Sequence, residues 1–63
     1  MPDIELKENY RGGKAGDCGH IDSDNGDNTV NVKLTRRICD PLPNDILVVF
    51  VPKRLLQPCH CDE

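Results

Sequence analysis

The chain has 63 residues, of which 37% are hydrophobic, with one Phe, one Tyr and no Trp. A chain of this length buries only about 60% of the surface that it exposes when unfolded, so there is room for a single core and a single domain. Eleven acidic residues against eight basic ones give a net charge of −3, which disfavours the phosphate backbone of a nucleic acid as a partner. The small mass also leaves little room for a concave catalytic pocket, so composition favours a binding protein over an enzyme.

The first half of the chain contains three predicted strands. Polar and apolar residues alternate over residues 3–6, 18–22 and 29–35, which is the pattern of strands with one buried face. The segment between the second and third strands is dense in turn-forming residues. Within it, Asn25-Gly26 is typical of a two-residue hairpin loop, because both residues accept a positive φ.

The second half contains two further predicted strands. Residues 40–45 include two prolines, which remove backbone donors, so we expect a loop there. Residues 46–51 are the most apolar run of the chain and are rich in β-branched side chains, which predicts a central strand. We expect a 3₁₀ turn over residues 52–55 and a short closing strand from Leu56 to just before Pro58.

Five short strands with tight turns predict an all-β fold closed into a small barrel, because closure removes exposed sheet edges. This domain is expected to span residues 1–58, with a single short 3₁₀ turn. Residues 59–63 are expected to form a C-terminal tail that contains cysteine and histidine. No run of about 20 apolar residues indicates a membrane-spanning helix.

Two segments resemble the SH3-like barrels of the KOW type. The first is Lys14-Ala-Gly-Asp-Cys-Gly-His-Ile21, followed by a hairpin and residues 29–34. The second is Val48-Val-Phe-Val-Pro-Lys-Arg-Leu-Leu56, read as a strand, a 3₁₀ turn and a short last strand. The resemblance extends over residues 14–58 and implies a five-stranded SH3-like barrel.

The glycines of the KOW motif correspond to Gly16 and Gly19, and its apolar residue corresponds to Ile21. Gly16 can turn the chain into the second strand, and Gly19 lets the backbone bend or pass close to a neighbour. Similar families include ribosome-associated and transcription-associated KOW domains and the variable chain of ferredoxin-thioredoxin reductase. Their shared property is docking, so the resemblance implies a non-enzymatic module that binds a larger protein assembly.

The four cysteines and two histidines offer ligands for a metal ion. Cys18-Gly-His20 and Cys59-His-Cys61 carry the sulfur and imidazole ligands that zinc accepts in tetrahedral sites. A zinc site would therefore use Cys18, His20, Cys59 and Cys61; no other cofactor is expected. Two other interpretations stay open. In one, Cys18 and Cys39 are small buried hydrophobes beside a disordered tail, and in the other the cysteines pair in disulfides.

A local basic patch is predicted in spite of the negative net charge. Its members are Arg36, Arg37, Lys53 and Arg54. They would bind an acidic protein partner or, in a KOW-like RNA or ribosome binder, the RNA backbone, although the net charge and the scarcity of aromatics disfavour RNA. The alternative is that they keep strand ends solvated and prevent edge pairing with other chains.

The N-terminal residues lack the basic and apolar blocks of a secretory signal, which favours a cytoplasmic protein; the alternative is a mature secreted chain whose signal has been removed. Reducing conditions in the cytoplasm favour free or metal-bound cysteines over disulfides. Self-association through residues 46–51 is a further alternative to a separate partner, whose identity the sequence does not reveal.

Overall fold

The structure is a computed structural model that describes residues 3–60. Its elements are β1 (Ile4–Leu6), β2 (Asp17–Asp24), β3 (Thr29–Arg37), β4 (Asp40–Pro52), the 3₁₀ turn Lys53–Leu55 and β5 (Leu56–Pro58). All five strands pair antiparallel in one sheet, in the order β4-β3-β2-β1-β5. The predicted all-β fold, with its five strands and single 3₁₀ turn, is confirmed for the described residues. The sheet is not closed, since β4 and β5 remain its edges.

The core lies on one face of this sheet and is made of aliphatic side chains. Alternation along β3 buries its three apolar residues, and the other members come from β1, β4 and the 3₁₀ turn. The cluster is Leu6, Val30, Val32, Leu34, Val48, Val51 and Leu55. Neither aromatic ring is fully buried: Tyr10 packs against the edge of the cluster, and Phe50 is exposed.

The loop between β2 and β3 is longer than the sequence predicts. Residues 25–28 form it, and the backbone N–H of Asn25 donates to the carbonyl oxygen of Thr29 over 3.0 Å. Asp24 and Asp27 explain the length, because their carboxylates accept the N–H groups of Gly26 and Thr29 and so form two side-chain turns. The prediction of a two-residue loop is therefore wrong.

The predicted loop at residues 40–45 is part of β4. Pro41 lies opposite Arg36, and residues 42–45 lie together opposite Thr35 alone, so the strand is irregular there. Prolines are tolerated because β4 is an edge strand and needs backbone donors on one side only. The same position makes the prediction of a central strand at residues 46–51 wrong.

Residues 38–39 form the two-residue turn between β3 and β4. Ile38 and Cys39 have φ values of 51° and 69°, and Arg37 pairs with Asp40 across the turn. Positive φ at both central residues is the pattern of a type I′ turn, which suits the twist of a hairpin. Ile38 is 74% exposed at its tip.

The two glycines of the KOW-like motif take up special positions. Gly16 has a φ of 92°, donates its N–H to Leu6 and accepts the N–H of Ile38 through its carbonyl oxygen. Gly19 lies at a register shift of β2, where a Cβ atom would stand 1.9 Å from the carbonyl oxygen of Lys33. The close approach of β3 at this point requires glycine.

Residues 3–60 include no helix that is both long and apolar enough to cross a bilayer.

Replacing Gly19 with alanine is expected to destabilise the protein by about 3 kcal/mol, because the added Cβ must displace the backbone of β3. Gly12→Ala is the matched control. Its Cβ would meet only a side-chain methyl group of Ile46 at 3.8 Å, so its unfolding free energy should stay within about 0.5 kcal/mol of the wild type. Urea denaturation measures both values, and equal stability of the two variants would contradict the close packing at Gly19.

Candidate functional site

Arg37, one of the four predicted patch residues, is engaged inside the protein. Its Nε donates to Oδ1 of Asp17 over 2.8 Å, and its Nη2 donates to Oδ2 over 2.9 Å. The Asp17 side chain is fully buried, whereas that of Arg37 is 35% exposed. The hydrogen bond to Asp17 raises the pKa of the Arg37 guanidinium above its ordinary value. The primary role of Arg37 is therefore to stabilise the fold, and any contact with a partner is secondary.

The two halves of the predicted basic patch lie at opposite ends of β3. Arg36 and Arg37 end the strand, whereas Lys53 donates its backbone N–H to Asn28, just before the strand begins. At about 3.3 Å per residue, the length of the strand separates them by on the order of 20 Å. The structure therefore brings Lys53 and Arg54 together, but not all four residues.

Lys53 and Arg54 line a shallow surface depression together with Asn28 and Pro52, with a volume of about 320 Å³. Both side chains are exposed. The Nζ of Lys53 lies 3.1 Å from a carboxylate oxygen of Asp24, and both side chains of this ion pair are about half exposed. These two cations remain accessible to an acidic partner.

The cysteines that the sequence assigned to a zinc site are bonded differently. Cys18 and Cys59 form a disulfide with a Cα–Cα distance of 5.9 Å, which joins β2 to the segment after β5. Cys39 is also disulfide-bonded. Cys61, the other predicted sulfur ligand, lies outside the described residues. Cys18 is fully buried, but as a disulfide cysteine and not as the free thiol considered in the sequence analysis.

His20 does not join the cysteines in the described part of the chain. It pairs with Lys33, which pairs in turn with Leu47, so the three residues share one row across the sheet. Ligand atoms of Glu5, Cys18 and Cys59 lie within 4.8 Å of one another, and we call these three residues the cysteine group. The zinc prediction stays a prediction, because a disulfide sulfur is not the thiolate that zinc binds.

Glu5 is the residue around which this cysteine group is arranged. Its side chain is only 17% exposed. Its Oε2 accepts a hydrogen bond from Gln57, and its Oε1 lies 3.4 Å from Nδ1 of His60 and 3.7 Å from Sγ of Cys18. A disulfide sulfur carries no proton, so the last contact becomes a hydrogen bond only after reduction.

Strand pairing places these residues together. Glu5 of β1 lies opposite Cys18 on one side and Gln57 on the other. Its neighbours Ile4 and Leu6 pack in or against the core, so alternation points Glu5 to the other face of the sheet. Neither Glu5 nor His60 belongs to the zinc ligands predicted from the sequence. Nothing in the sequence next to Glu5 indicates that Cys18 and Gln57 lie opposite it in the sheet.

A second feature that the sequence does not reveal is the exposed apolar surface of β4. We call Leu47, Val49 and Phe50 the β4 patch; Leu47 is 58% exposed and Phe50 52%. Val30 pairs with Val51 and Val32 with Val48, so Val49 and Phe50 together lie opposite a single residue of β3. This irregularity is a β-bulge.

The bulge holds Phe50 in a conformation that phenylalanine rarely adopts. Its φ is 56°, in the left-handed region. Its backbone N–H donates to the side-chain oxygen of Asn31 over 3.1 Å, and its carbonyl oxygen accepts the hydroxyl of Tyr10 over 2.9 Å. Two side chains from outside β4 thus fix the backbone while the ring points to solvent.

No family model, no curated protein and no solved structure matches this chain.

Removing Arg37 is expected to cost more stability than removing Asp17. Arg37→Met strands a buried carboxylate and should lower the unfolding free energy by about 2–3 kcal/mol, less than for a fully buried pair because Arg37 is 35% exposed. Asp17→Asn keeps an acceptor oxygen and releases Arg37 to water, so about 1–2 kcal/mol is expected. Urea denaturation decides, and the reverse order would contradict the burial of Asp17.

The pKa of Asp24 is expected to lie below 3.8, because the backbone N–H of Gly26 and then Lys53 stabilise its carboxylate. The stability this group contributes is present above pH 3.8 and is lost as the pH falls through its folded pKa. Carboxyl NMR titration of Lys53→Met should show a higher midpoint that still lies below 3.8, since the Gly26 contact remains. Arg54→Met is the matched control, and an equal shift in that variant would exclude a specific role for Lys53.

Proposed function

We propose that this chain is a non-enzymatic interaction module that docks onto a larger protein assembly through the β4 patch. The observation that carries this proposal is Phe50. A left-handed φ costs a non-glycine residue roughly 1–2 kcal/mol, and the exposed ring offsets little of that cost by burial. Strain at a position anchored by Asn31 and Tyr10 supports a role in binding.

The edge position of β4 supports the same function. β4 pairs with β3 only, so one row of its backbone donors and acceptors faces outward. Edge strands are normally protected by prolines or charges. In β4 these occur at Asp40, Pro41, Pro43, Asp45 and Pro52, whereas residues 46–51 carry neither and are interrupted only by the bulge at Val49 and Phe50. An extended segment of a partner would add to this second half of the strand.

The charges around the β4 patch favour an acidic partner. Lys33 lies opposite Leu47 on β3, and Lys53 and Arg54 follow the end of β4 with exposed side chains. We therefore infer a partner segment with alternating apolar residues flanked by carboxylates. Of the four basic residues predicted from the sequence, Lys53 and Arg54 would take part in this recognition.

We also propose that the sheet is an SH3-like barrel of the KOW type that stays open between β4 and β5. The strand order β4-β3-β2-β1-β5, the 3₁₀ turn before β5 and the pairing of β1 with β5 support this assignment. RNA binding receives less support, because Arg37 is bonded to Asp17 and the basic residues do not form one surface. An interaction module without enzymatic activity in the cytoplasm remains our proposal.

A peptide-display library selected against the immobilised protein tests the docking site. Peptides with alternating apolar residues and acidic flanks are expected to be enriched. Phe50→Asn should weaken their binding by at least tenfold, about 1.4 kcal/mol, because the ring is lost, while asparagine tolerates the left-handed backbone. The variant should be at least as stable as the wild type in urea denaturation.

Ile38→Asn is the matched control, since Ile38 is also exposed and also has a left-handed φ, but lies in the β3–β4 turn. It should bind the selected peptides like the wild type. Equal losses in both variants, or no enriched peptide, would refute docking at the β4 patch. A dimer in sedimentation that Phe50→Asn dissociates would identify a second copy of the chain as the occupant instead.

A further inference from the structure

The distances from Glu5 to Cys18 and to His60 match those of a tetrahedral zinc site. His60 lies outside the compact group that Glu5 forms with Cys18 and Cys59, and its side chain, which is 75% exposed, would turn towards the sulfurs on binding zinc. With Zn–S bonds of about 2.3 Å and Zn–O or Zn–N bonds of about 2.0–2.1 Å, sulfur and oxygen ligands lie about 3.6 Å apart, and nitrogen and oxygen ligands about 3.4 Å apart. Sγ of Cys18 and Oε1 of Glu5 are separated by 3.7 Å, and Oε1 of Glu5 and Nδ1 of His60 by 3.4 Å. All ligand atoms of Glu5, Cys18 and Cys59 lie within 4.8 Å of one another.

We propose that reduction of the Cys18–Cys59 disulfide creates a zinc site whose ligands are Glu5, Cys18, Cys59 and His60. Two cysteines, one carboxylate and one imidazole form a ligand set that zinc accepts. The ligands come from β1, β2 and the segment after β5, so a bound ion would connect the same three parts of the chain that the disulfide connects. The disulfide and the metal are therefore alternative links at one place.

The redox step is a two-electron exchange with an external dithiol. The dithiol is oxidised to a disulfide, and its two electrons and two protons pass to the sulfur atoms of Cys18 and Cys59. Zinc then binds the two thiolates and releases the two protons. Oxidation of the bound thiolates by an external disulfide, which takes up their two electrons and two protons from water to become a dithiol, would re-form the Cys18–Cys59 disulfide and release the metal. In the reducing compartment that the sequence predicts, the zinc form would prevail.

The surroundings of the group favour the metal in the reduced state. Cys18 is fully buried and the side chain of Glu5 is 17% exposed, and without a metal the reduced form would place a carboxylate against a thiol of the same row. Thiolate and carboxylate would repel each other there, and a divalent cation between them removes the repulsion. Gln57 already holds the second oxygen of Glu5, which orients Oε1 towards the sulfurs.

This proposal replaces two ligands of the set predicted from the sequence, His20 and Cys61, by His60 and Glu5, and it is independent of docking through β4. His20 lies in a row with Lys33 and Leu47, whereas His60 contacts Glu5 through both its backbone N–H and its ring. The two sets therefore differ in which histidine matters, and an experiment can separate them.

Native mass spectrometry of the whole chain with added zinc tests the proposal. After treatment with a phosphine reductant, which offers no thiol to compete for the metal, each chain should hold one zinc ion; the oxidised chain should hold none. Cobalt(II) added to the reduced chain should give the thiolate-to-metal charge-transfer absorption of two cysteine ligands. This absorption reports the ligands in the wild type and needs no variant.

The variants distinguish this site from others. Cys59→Ser should abolish zinc binding, and His60→Ala should weaken it at least about tenfold. Cys39→Ser and His20→Ala are the controls and should bind like the wild type, because neither residue is one of the proposed ligands. Amide NMR spectra establish that each variant is folded.

Three results would overturn the proposal. They are a reduced wild-type chain without zinc, a reduced wild-type chain with cobalt but without thiolate charge transfer, and a loss of zinc in His20→Ala that equals the loss in Cys59→Ser.

Discussion

The bidentate ion pair between Asp17 and Arg37 fixes the start of β2 against the end of β3. Two neighbouring features depend on it: the disulfide cysteine Cys18 and the β3–β4 turn. The ladder shifts register between Cys18 and Gly19, and only two pairs, Asp17 with Arg37 and Cys18 with Arg36, precede the shift. A planar guanidinium that meets both carboxylate oxygens reinforces this short stretch of pairing. Cys18 follows directly in the chain, and the β3–β4 turn follows Arg37.

Strand positions could be predicted from the sequence where one face of the strand is buried and the other is exposed to solvent. β3 is the best example, because Val30, Val32 and Leu34 alternate with polar residues and are all buried. β4 shows the limit of this reasoning. Its apolar run suggested a central, buried strand, but β4 is an edge strand of which Val48 and Val51 belong to the core, whereas Leu47 and Phe50 are exposed. The composition of a strand does not determine whether it pairs with one neighbouring strand or with two.

The candidate sites were less accessible to sequence reasoning, because they depend on pairing across strands. Glu5 and Cys18 are thirteen residues apart in the chain yet lie opposite each other in the sheet. Arg37 looked like a surface cation until its partner, Asp17, proved to be buried. The bulge at Phe50 likewise depends on the amide of Asn31, nineteen residues away.

The strand order also separates the two sites: the cysteine group lies on β1 and β2, and β3 stands between β2 and the β4 patch. A change at one site can therefore leave the other intact.

The Cys18–Cys59 bond has a mechanical consequence. It closes a covalent loop with a sequence separation of 41 residues that contains nearly all of β2, together with β3, β4 and β5. Tension applied between the two ends of the chain would pass from residue 59 directly to residue 18 and would bypass every strand inside the loop. Only β1, which precedes the loop, could then be drawn out, by shearing it away from β2 and β5. The oxidised protein would therefore yield to force by losing its three-residue N-terminal strand, while its core hairpins carry no load.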